Sequence, residues 1–176
     1  MDRFARFSAQ ERREIIQERA NQMHVDFTIV EKDFWVCWTL KSLFALPSEN
    51  PVMTFKGGTS LSKAYGMIDR FSEDIDVVTD PYFFIARGLS DPEEPGISNT
   101  QRQKRMEQLD AACVVYIGEQ LLSTLRSQFA MRLGSSEGWT LIIDPTDPNT
   151  LLLRYPKSDP EMTYAYLRDT VKIELG

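Results

Sequence analysis

Two acidic residues in an apolar run, shortly after a pair of glycines, constrain the fold of this 176-residue chain more than any other feature. Asp74 and Asp76 stand in the run DIDVV, whose β-branched residues favour a strand. Because side chains alternate between the two faces of a strand, both carboxylates are predicted on one face and the apolar residues on the other. The alternative is that the two residues cap or end a loop. On a strand, the two carboxylates share one patch.

Two carboxylates in one patch repel each other, which raises the pKa of one of them unless a cation is shared between them. A hard divalent ion relieves the repulsion, and Mg²⁺ binds through one or two carboxylates together with substrate phosphates. In nucleotidyl transfer such ions stabilise the attacking and leaving oxygens. Asp74 and Asp76 are therefore candidate ligands of Mg²⁺ (or Mn²⁺), with a nucleoside triphosphate (NTP) as the substrate.

The glycines upstream predict a phosphate-binding turn. The run that ends at Lys56 is typical of a short strand, Gly57 and Gly58 of a turn, and the next residues of a helix whose N-cap is Thr59 or Ser60. Glycine lets the backbone approach a phosphate closely, and the first amides of a helix attract the anion. Either hydroxyl could add a hydrogen bond to the phosphate.

The run KGGTSLSKAYGMIDRFSEDIDVV, which contains both features, resembles the signature of the AbiEii/AbiGii toxin family. That family consists of nucleotidyltransferases of the DNA polymerase β-like superfamily. The resemblance continues upstream at residues 30–36 (VEKDFWV) and downstream at residues 171–175 (VKIEL), so that its blocks span about residues 28–176. A Gly-Gly pair or an Asp-x-Asp pattern alone is not specific, whereas both together in this run are.

The resemblance implies a role for each residue of the run. Gly57, Gly58 and Ser60 would form the phosphate-binding turn, and Asp74 and Asp76 would bind the metal ions.

Three further residues enter the expected site. Glu174 lies where the superfamily places its third carboxylate, which serves as a metal ligand or as the base that activates the attacking hydroxyl. Lys172, two residues earlier on the same predicted strand, could contact the triphosphate. Thr59 is expected at the phosphates through its hydroxyl, and Lys63 either reaches the same phosphates or is solvated.

The predicted elements place this site in an α/β (α+β) fold with a mixed β-sheet flanked by helices. We expect a single domain over residues 1–176, with N-terminal helices over about 8–45 and a catalytic core over about 51–176. The resemblance implies a polymerase-β-type nucleotidyltransferase core. The predicted elements are, in chain order, helices over about 8–23 and 28–45, strand 51–56, helix 59–65, strand 74–78, helix 100–131, and strands 139–143, 151–155 and 170–175.

Composition limits the possible locations of the chain. Hydrophobic residues make up 42% of it, which suffices for one buried core, and no stretch is long and apolar enough to span a membrane. The N-terminus lacks the apolar core of a signal peptide, so we expect a cytoplasmic protein without membrane contact. Cys37 and Cys113 have neither metal-ligand spacing nor a disulfide-rich context and are expected in the core.

Charge limits the possible partners. The net charge of −6 gives no general attraction for nucleic acid. Basic residues on the long predicted helix either contact an RNA backbone or form a solvated helix face; they are Arg102, Lys104, Arg105, Arg126 and Arg132. Residues 31–33 (EKD) are expected on a solvated helix face, with orientation of the site as the functional alternative.

Together these features predict an enzyme that transfers a nucleoside monophosphate (NMP) from an NTP, with Mg²⁺, to an acceptor hydroxyl. The resemblance implies the toxin of a toxin–antitoxin or abortive-infection system, which acts on a tRNA 3′ end or a protein and is held in check by a cognate antitoxin. It also leads us to expect that the family's C-terminal helical region is absent. The alternative is therefore a catalytically silent fragment that binds nucleotide and metal and acts through a partner protein.

Overall fold

The computed structural model describes residues 1–58, 60, 74–162 and 168–176. Thr59 and Lys63 lie outside the described residues, so their expected roles stay predictions. Within the described part, one mixed sheet organises the fold. Its strands are β1 (Met53–Lys56), β2 (Asp74–Thr79), β3 (Thr140–Asp144), β4 (Asp147–Arg154) and β5 (Thr170–Leu175).

A parallel pair of strands forms the centre of this sheet. The strand order is β1-β2-β5-β4-β3. Strands β2 and β5 run parallel, whereas the other neighbouring strands are antiparallel. Strand β5 therefore lies between β2 and β4 although it comes last in the sequence. The five-stranded mixed sheet with its flanking helices confirms the predicted fold class.

The described helices agree with most of the predicted ones. The first long helix begins with a capping box of Ser8 and Glu11. The long helix predicted over 100–131 is present as two helices joined by a π-helical turn (Ile117–Leu121). The helices are α1 (Asp2–Ala5), α2 (Ala9–Met23), α3 (Phe27–Leu43), α4 (Tyr82–Ile85), α5 (Asn99–Tyr116) and α6 (Leu122–Leu133).

Helix α3 begins earlier than predicted. Asp26 is its N-cap, and the Asp26 Oδ1 atom accepts a hydrogen bond from the Thr28 amide at 2.7 Å. The helix thus starts before Thr28, with Asp26 in the cap position, and Glu31 is fully buried.

Strand β4 also begins earlier, at Asp147 rather than at residue 151. Pro148 cannot donate a hydrogen bond to a neighbouring strand, which is why the sequence predicted a break there. The register between β3 and β4 shifts between Ile143 and Asp144, and prolines are tolerated at such bulges. Between the predicted strand 74–78 and the predicted helix 100–131, where no element was predicted, the chain forms the short helix α4.

One face of the sheet is buried against α3 and α6. Every second residue of β2, β4 and β5 points to this face, where Ile75, Val77, Leu151, Leu153, Val171 and Ile173 are at most 1% exposed. The rings of Trp38 on α3 and Phe129 on α6 meet over this core at 4.9 Å. The remaining residues of β2 and β5 lie on the opposite face and are exposed or half-buried.

The two cysteines are both free thiols. Cys113 is buried, as predicted, with its Sγ atom 3.5 Å from the Thr79 hydroxyl, whereas Cys37 is only half-buried. No helix in the described ranges is long and apolar enough to cross a membrane.

The charged residues 31–33 do not form the solvated helix face that the sequence predicted. Glu31 and Lys32 are 0% and 1% exposed, and Asp33 is half-buried. Glu31 and Lys32 form hydrogen bonds with the backbone of the segment that connects β4 to β5. The prediction was wrong because partners so distant in the sequence leave no local pattern.

Candidate active site

The register of the sheet brings the predicted carboxylates together. In the parallel pair, Asp76 lies beside Glu174 and Asp74 beside Lys172. Directly paired residues of neighbouring strands point to the same face of a sheet. The four side chains therefore share one face, which we call the site face. The sequence had left open whether Glu174 joins the Asp pair, and the structure places it next to Asp76.

Asp76 and Glu174 share a hydrogen bond, and their carboxyl groups titrate as a pair. Partial burial raises the pKa of Asp76 above its ordinary value, and the hydrogen bond with Glu174 and the negative charges of Glu174 and Asp74 raise it further. The hydrogen bond from Lys172 lowers the pKa of Glu174. Of the two carboxyl groups, Asp76 is therefore the one that binds a proton more readily.

Lys172 is paired with an acid on its own strand. Its Nζ atom donates a hydrogen bond to Glu174 Oε1 and forms a salt bridge with it. This hydrogen bond, together with the charges of Glu174, Asp74 and Asp147, raises the pKa of Lys172. The ammonium group is thus held on the site face among carboxylates.

The glycine turn touches the same carboxylate. A Cβ atom at Gly57 would lie 2.0 Å from Asp76 Oδ2 and 2.8 Å from Asp76 Cγ, and the φ angle of Gly57 is +74°. Only glycine fits here, because any other residue would combine a strained backbone with a clash against the carboxylate. At Gly58, by contrast, a Cβ atom would meet no atom within 4 Å.

Ser60, one of the two predicted N-cap residues, does not cap the helix. Residues 58 and 60 already lie in the helix. The buried Ser60 hydroxyl donates a hydrogen bond to the Gly57 carbonyl at 2.8 Å, whereas an N-cap side chain would accept one from an amide. Ser60 therefore holds the turn at Gly57 rather than opening the helix.

Sequence reasoning missed Lys56, although it lies next to the glycines. In the antiparallel pair of β1 and β2, Lys56 lies opposite Asp76, and its positive charge opposes the rise in the pKa of Asp76. The Lys56 Nζ atom is 3.5 Å from where a Cβ atom at Gly176 would lie, so the side chain reaches across to the end of β5. Strand alternation within β1 could have indicated its face, but not its partner.

Two polar residues of β4 lie near Glu174. Thr150 lies opposite Glu174, is fully buried, and donates a hydrogen bond to Asp147 Oδ2 at 2.7 Å. The negative charge of Asp147 acts on Glu174 and on Lys172. Sequence reasoning missed both residues, because they lie between the predicted strands 139–143 and 151–155.

The donor set suits a hard divalent cation, because carboxylate oxygens are the ligands that Mg²⁺ prefers. Within residues 1–58, 60, 74–162 and 168–176, however, no three His, Cys, Asp or Glu side chains are arranged to hold a metal ion together. In this geometry Asp76 and Glu174 lie beside each other on neighbouring strands.

The basic residues of the long helical run serve first to hold the fold. Arg102 and Arg105 donate hydrogen bonds to carbonyl oxygens of the loop over 91–94. The guanidinium group of Arg126 donates two hydrogen bonds to one carbonyl oxygen of β3, at 2.9 and 2.7 Å. Arg132 contacts a serine hydroxyl of α3. These four side chains therefore form neither a purely solvated helix face nor a surface that serves only to contact an RNA backbone.

A mixed sheet with helices packed on one face, and with acidic strand residues beside a glycine turn on the other, defines the class of nucleotidyltransferase-type cores. A comparison with protein families agrees: the family model described as "Nucleotidyl transferase AbiEii toxin, Type IV TA system" matches residues 38–176. The chain belongs to this family. The match confirms the resemblance seen in the sequence, although the upstream block at residues 30–36 lies outside it. No curated protein and no solved structure shows significant similarity to the chain.

Proposed function

We propose that the chain transfers an NMP from an NTP to an acceptor hydroxyl, and that Asp74, Asp76 and Glu174 bind the required Mg²⁺ (or Mn²⁺). One observation carries the proposal: Gly57 lies against Asp76, while Asp76 contacts Glu174. A turn suited to phosphate and carboxylates suited to metal therefore meet at one point, where a metal–triphosphate complex needs both.

Divalent ions bound there would neutralise charge on the triphosphate and on the departing pyrophosphate. In the transfer, the acceptor oxygen forms a bond to the α-phosphorus, and the bond from the α-phosphorus to the oxygen bridging to the β-phosphate breaks. Glu174 is the candidate base for the proton of the acceptor hydroxyl, because the hydrogen bond from Lys172 keeps its carboxylate ionised. Gly57, Gly58, Thr59, Ser60 and Lys63 are proposed to hold the β- and γ-phosphates.

Two lysines supply positive charge on the site face. Lys172 forms a salt bridge with Glu174, and Lys56 is exposed beside Asp76. We propose that both contact the triphosphate and offset part of its negative charge. The expected acceptor is a tRNA 3′ end or a protein side chain in the cytoplasm. The type IV toxin–antitoxin family adds a cognate antitoxin as the expected partner.

The test is transfer of label from each of the four α-³²P-labelled NTPs, with Mg²⁺, to total tRNA or to protein. The variant Asp74→Asn/Asp76→Asn removes two carboxylates of the site face, and Glu49→Gln/Glu137→Gln, which changes two exposed acids elsewhere, is the matched control. Label that appears with the unaltered chain and the control, but not with the site variant, supports the proposal and identifies the acceptor.

The other outcomes decide against it. Metal-dependent NTP binding without transfer would identify a silent nucleotide-binding chain that acts through a partner. Absence of both binding and transfer would refute the nucleotide site altogether.

A further inference from the structure

Three charged side chains from α2 and α3 are buried together: Arg12, Glu31 and Lys32 are 6%, 0% and 1% exposed. We call them the buried charge cluster. Burial lowers the pKa of Arg12, and the negative charge of Glu31 opposes this change. Ionised groups are almost never fully buried unless they are paired, because desolvating them is costly. These three charged groups therefore need partners inside the fold.

Two members of the cluster hold the start of the β4–β5 connection, which comprises residues 155–169. The Arg12 guanidinium donates hydrogen bonds to the carbonyl oxygens of Pro156 and Lys157, at 2.9 and 3.3 Å. Glu31 Oε1 accepts a hydrogen bond from the Ser158 amide at 2.6 Å. Both contacts hold the backbone of residues 156–158 against α2 and α3.

An aromatic stack holds the same end of the connection. The rings of Trp35 on α3 and Tyr155 lie 5.5 Å apart at an angle of 14°, and both side chains are at most 1% exposed. The Arg12 guanidinium carbon lies 5.9 Å from the centre of the Trp35 ring. Aromatic and ionic contacts thus converge where the chain leaves β4.

Lys32 holds the far end of the connection. Its Nζ atom donates a hydrogen bond to the Arg168 carbonyl at 2.8 Å. Arg168 stands just before Thr170, the first residue of β5, and β5 carries Lys172 and Glu174 on the site face. The tie to Lys32 therefore fixes the chain immediately before the strand that brings the third carboxylate to Asp76.

A buried charge is poorly suited to stabilisation alone, because replacing buried ionic groups by apolar ones is often neutral or stabilising. It is well suited to fixing geometry. The hydrogen bond between Asp76 and Glu174 tolerates only a few tenths of an ångström, whereas strands advance about 3.3 Å per residue. A displacement of about 1 Å in a catalytic group can reduce the rate about 100-fold.

We propose that Lys32 is a positioning residue for nucleotidyl transfer: through the Arg168 carbonyl it holds the start of β5 so that Glu174 lies against Asp76. This inference rests on the proposed function of the site face. Because Lys32 is buried and bonded to the Arg168 carbonyl, it acts through the backbone that leads into β5 rather than on the substrate itself.

The test compares Lys32→Met with Lys41→Met, which changes an exposed lysine on the same helix. We expect kcat to fall about 10–100-fold in Lys32→Met, with KM for the NTP within about twofold, because Glu174 is displaced while the phosphate turn is not. Lys41→Met is expected to leave both parameters unchanged. An unchanged kcat in folded Lys32→Met would overturn the proposal.

Amide hydrogen exchange in the absence of substrate separates positioning from general destabilisation. In Lys32→Met, peptides covering residues 168–176 should exchange faster, whereas peptides from α6 should keep the rate of the unaltered chain. An equal increase in both would show a merely structural role and would refute the proposal.

Two controls keep the test decisive. If Lys32→Met does not fold, Lys32→Arg takes its place, because arginine keeps a cationic donor. Positioning then requires that amide exchange in β5 of Lys32→Arg match that of the unaltered chain. Faster exchange confined to β5, together with a normal kcat, would refute the proposal. If the unaltered chain transfers no nucleotide, the proposed function fails, but the exchange data still decide whether Lys32 holds β5.

Discussion

Replacing Gly57 by alanine tests the meeting of the glycine turn and the carboxylates most directly. The new Cβ atom would lie 2.0 Å from Asp76 Oδ2, whereas ordinary contact begins at 3.4 Å. The carboxylate must therefore shift by about 1.4 Å, which changes its contact with Glu174. The positive φ angle adds a backbone strain of about 1–2 kcal/mol to the folded state.

The displacement should appear first in metal binding. Loss of a group that orients a metal ligand typically reduces metal affinity about 10–100-fold, and we expect Gly57→Ala to weaken Mn²⁺ binding by this factor. The measurement is titration with Mn²⁺ without nucleotide, followed by calorimetry or by electron paramagnetic resonance. A thermal melt of the same samples reports the backbone strain separately.

Gly58→Ala is the matched control, because a Cβ atom there has open space and Gly58 has no positive φ angle. It should bind Mn²⁺ as the unaltered chain does. The reasoning is refuted if Gly57→Ala binds Mn²⁺ normally, or if Gly58→Ala loses as much affinity as Gly57→Ala.

Three further predictions concern the same face. Because the pKa of Asp76 is raised, the metal-free protein should lose stability as the pH rises from the ordinary Asp range through that raised pKa. Mn²⁺ affinity should increase over the same pH window, because the metal binds the ionised carboxylate. Thermal melts and Mn²⁺ titrations against pH check both trends, and Asp76→Asn should remove them. Glu174→Gln should reduce kcat about 10²–10⁴-fold if Glu174 is the base, measured at saturating NTP. Lys56→Met should raise KM for the NTP about 2–5-fold, an effect that vanishes at high salt, and a change in kcat alone would contradict it.

The sequence predicted those parts of the site that depend on local periodicity. Asp74 and Asp76 lie on one face of β2, because the alternation of side chains is a property of a single strand. The face of Glu174 depends on the register between β2 and β5, which are distant in the sequence, so only the family resemblance could suggest it. Lys56 was missed for the same reason, since its partner becomes visible only when β1 and β2 are paired.

The prediction of a solvated helix face at Glu31 and Lys32 failed, because both residues are buried. Composition places a Glu-Lys pair at the surface, and this holds for most helices. Glu31 and Lys32 depart from it because their partners are backbone groups of the β4–β5 connection, far along the chain. Polar side chains that bind distant backbone leave no periodic signal, and only the folded chain reveals them.

The position of β5 in the sheet has a consequence for the order of folding. Strands β2 and β4 are neighbours only through β5, the last strand of the described chain. Until residues 170–175 insert between them, Asp76 has no Glu174 beside it, however well the helices and the β3–β4 hairpin have formed. Pairings over such long sequence separations form slowly. The carboxylate pair is therefore assembled late, when the sheet closes, and it cannot form before β5 has been synthesised.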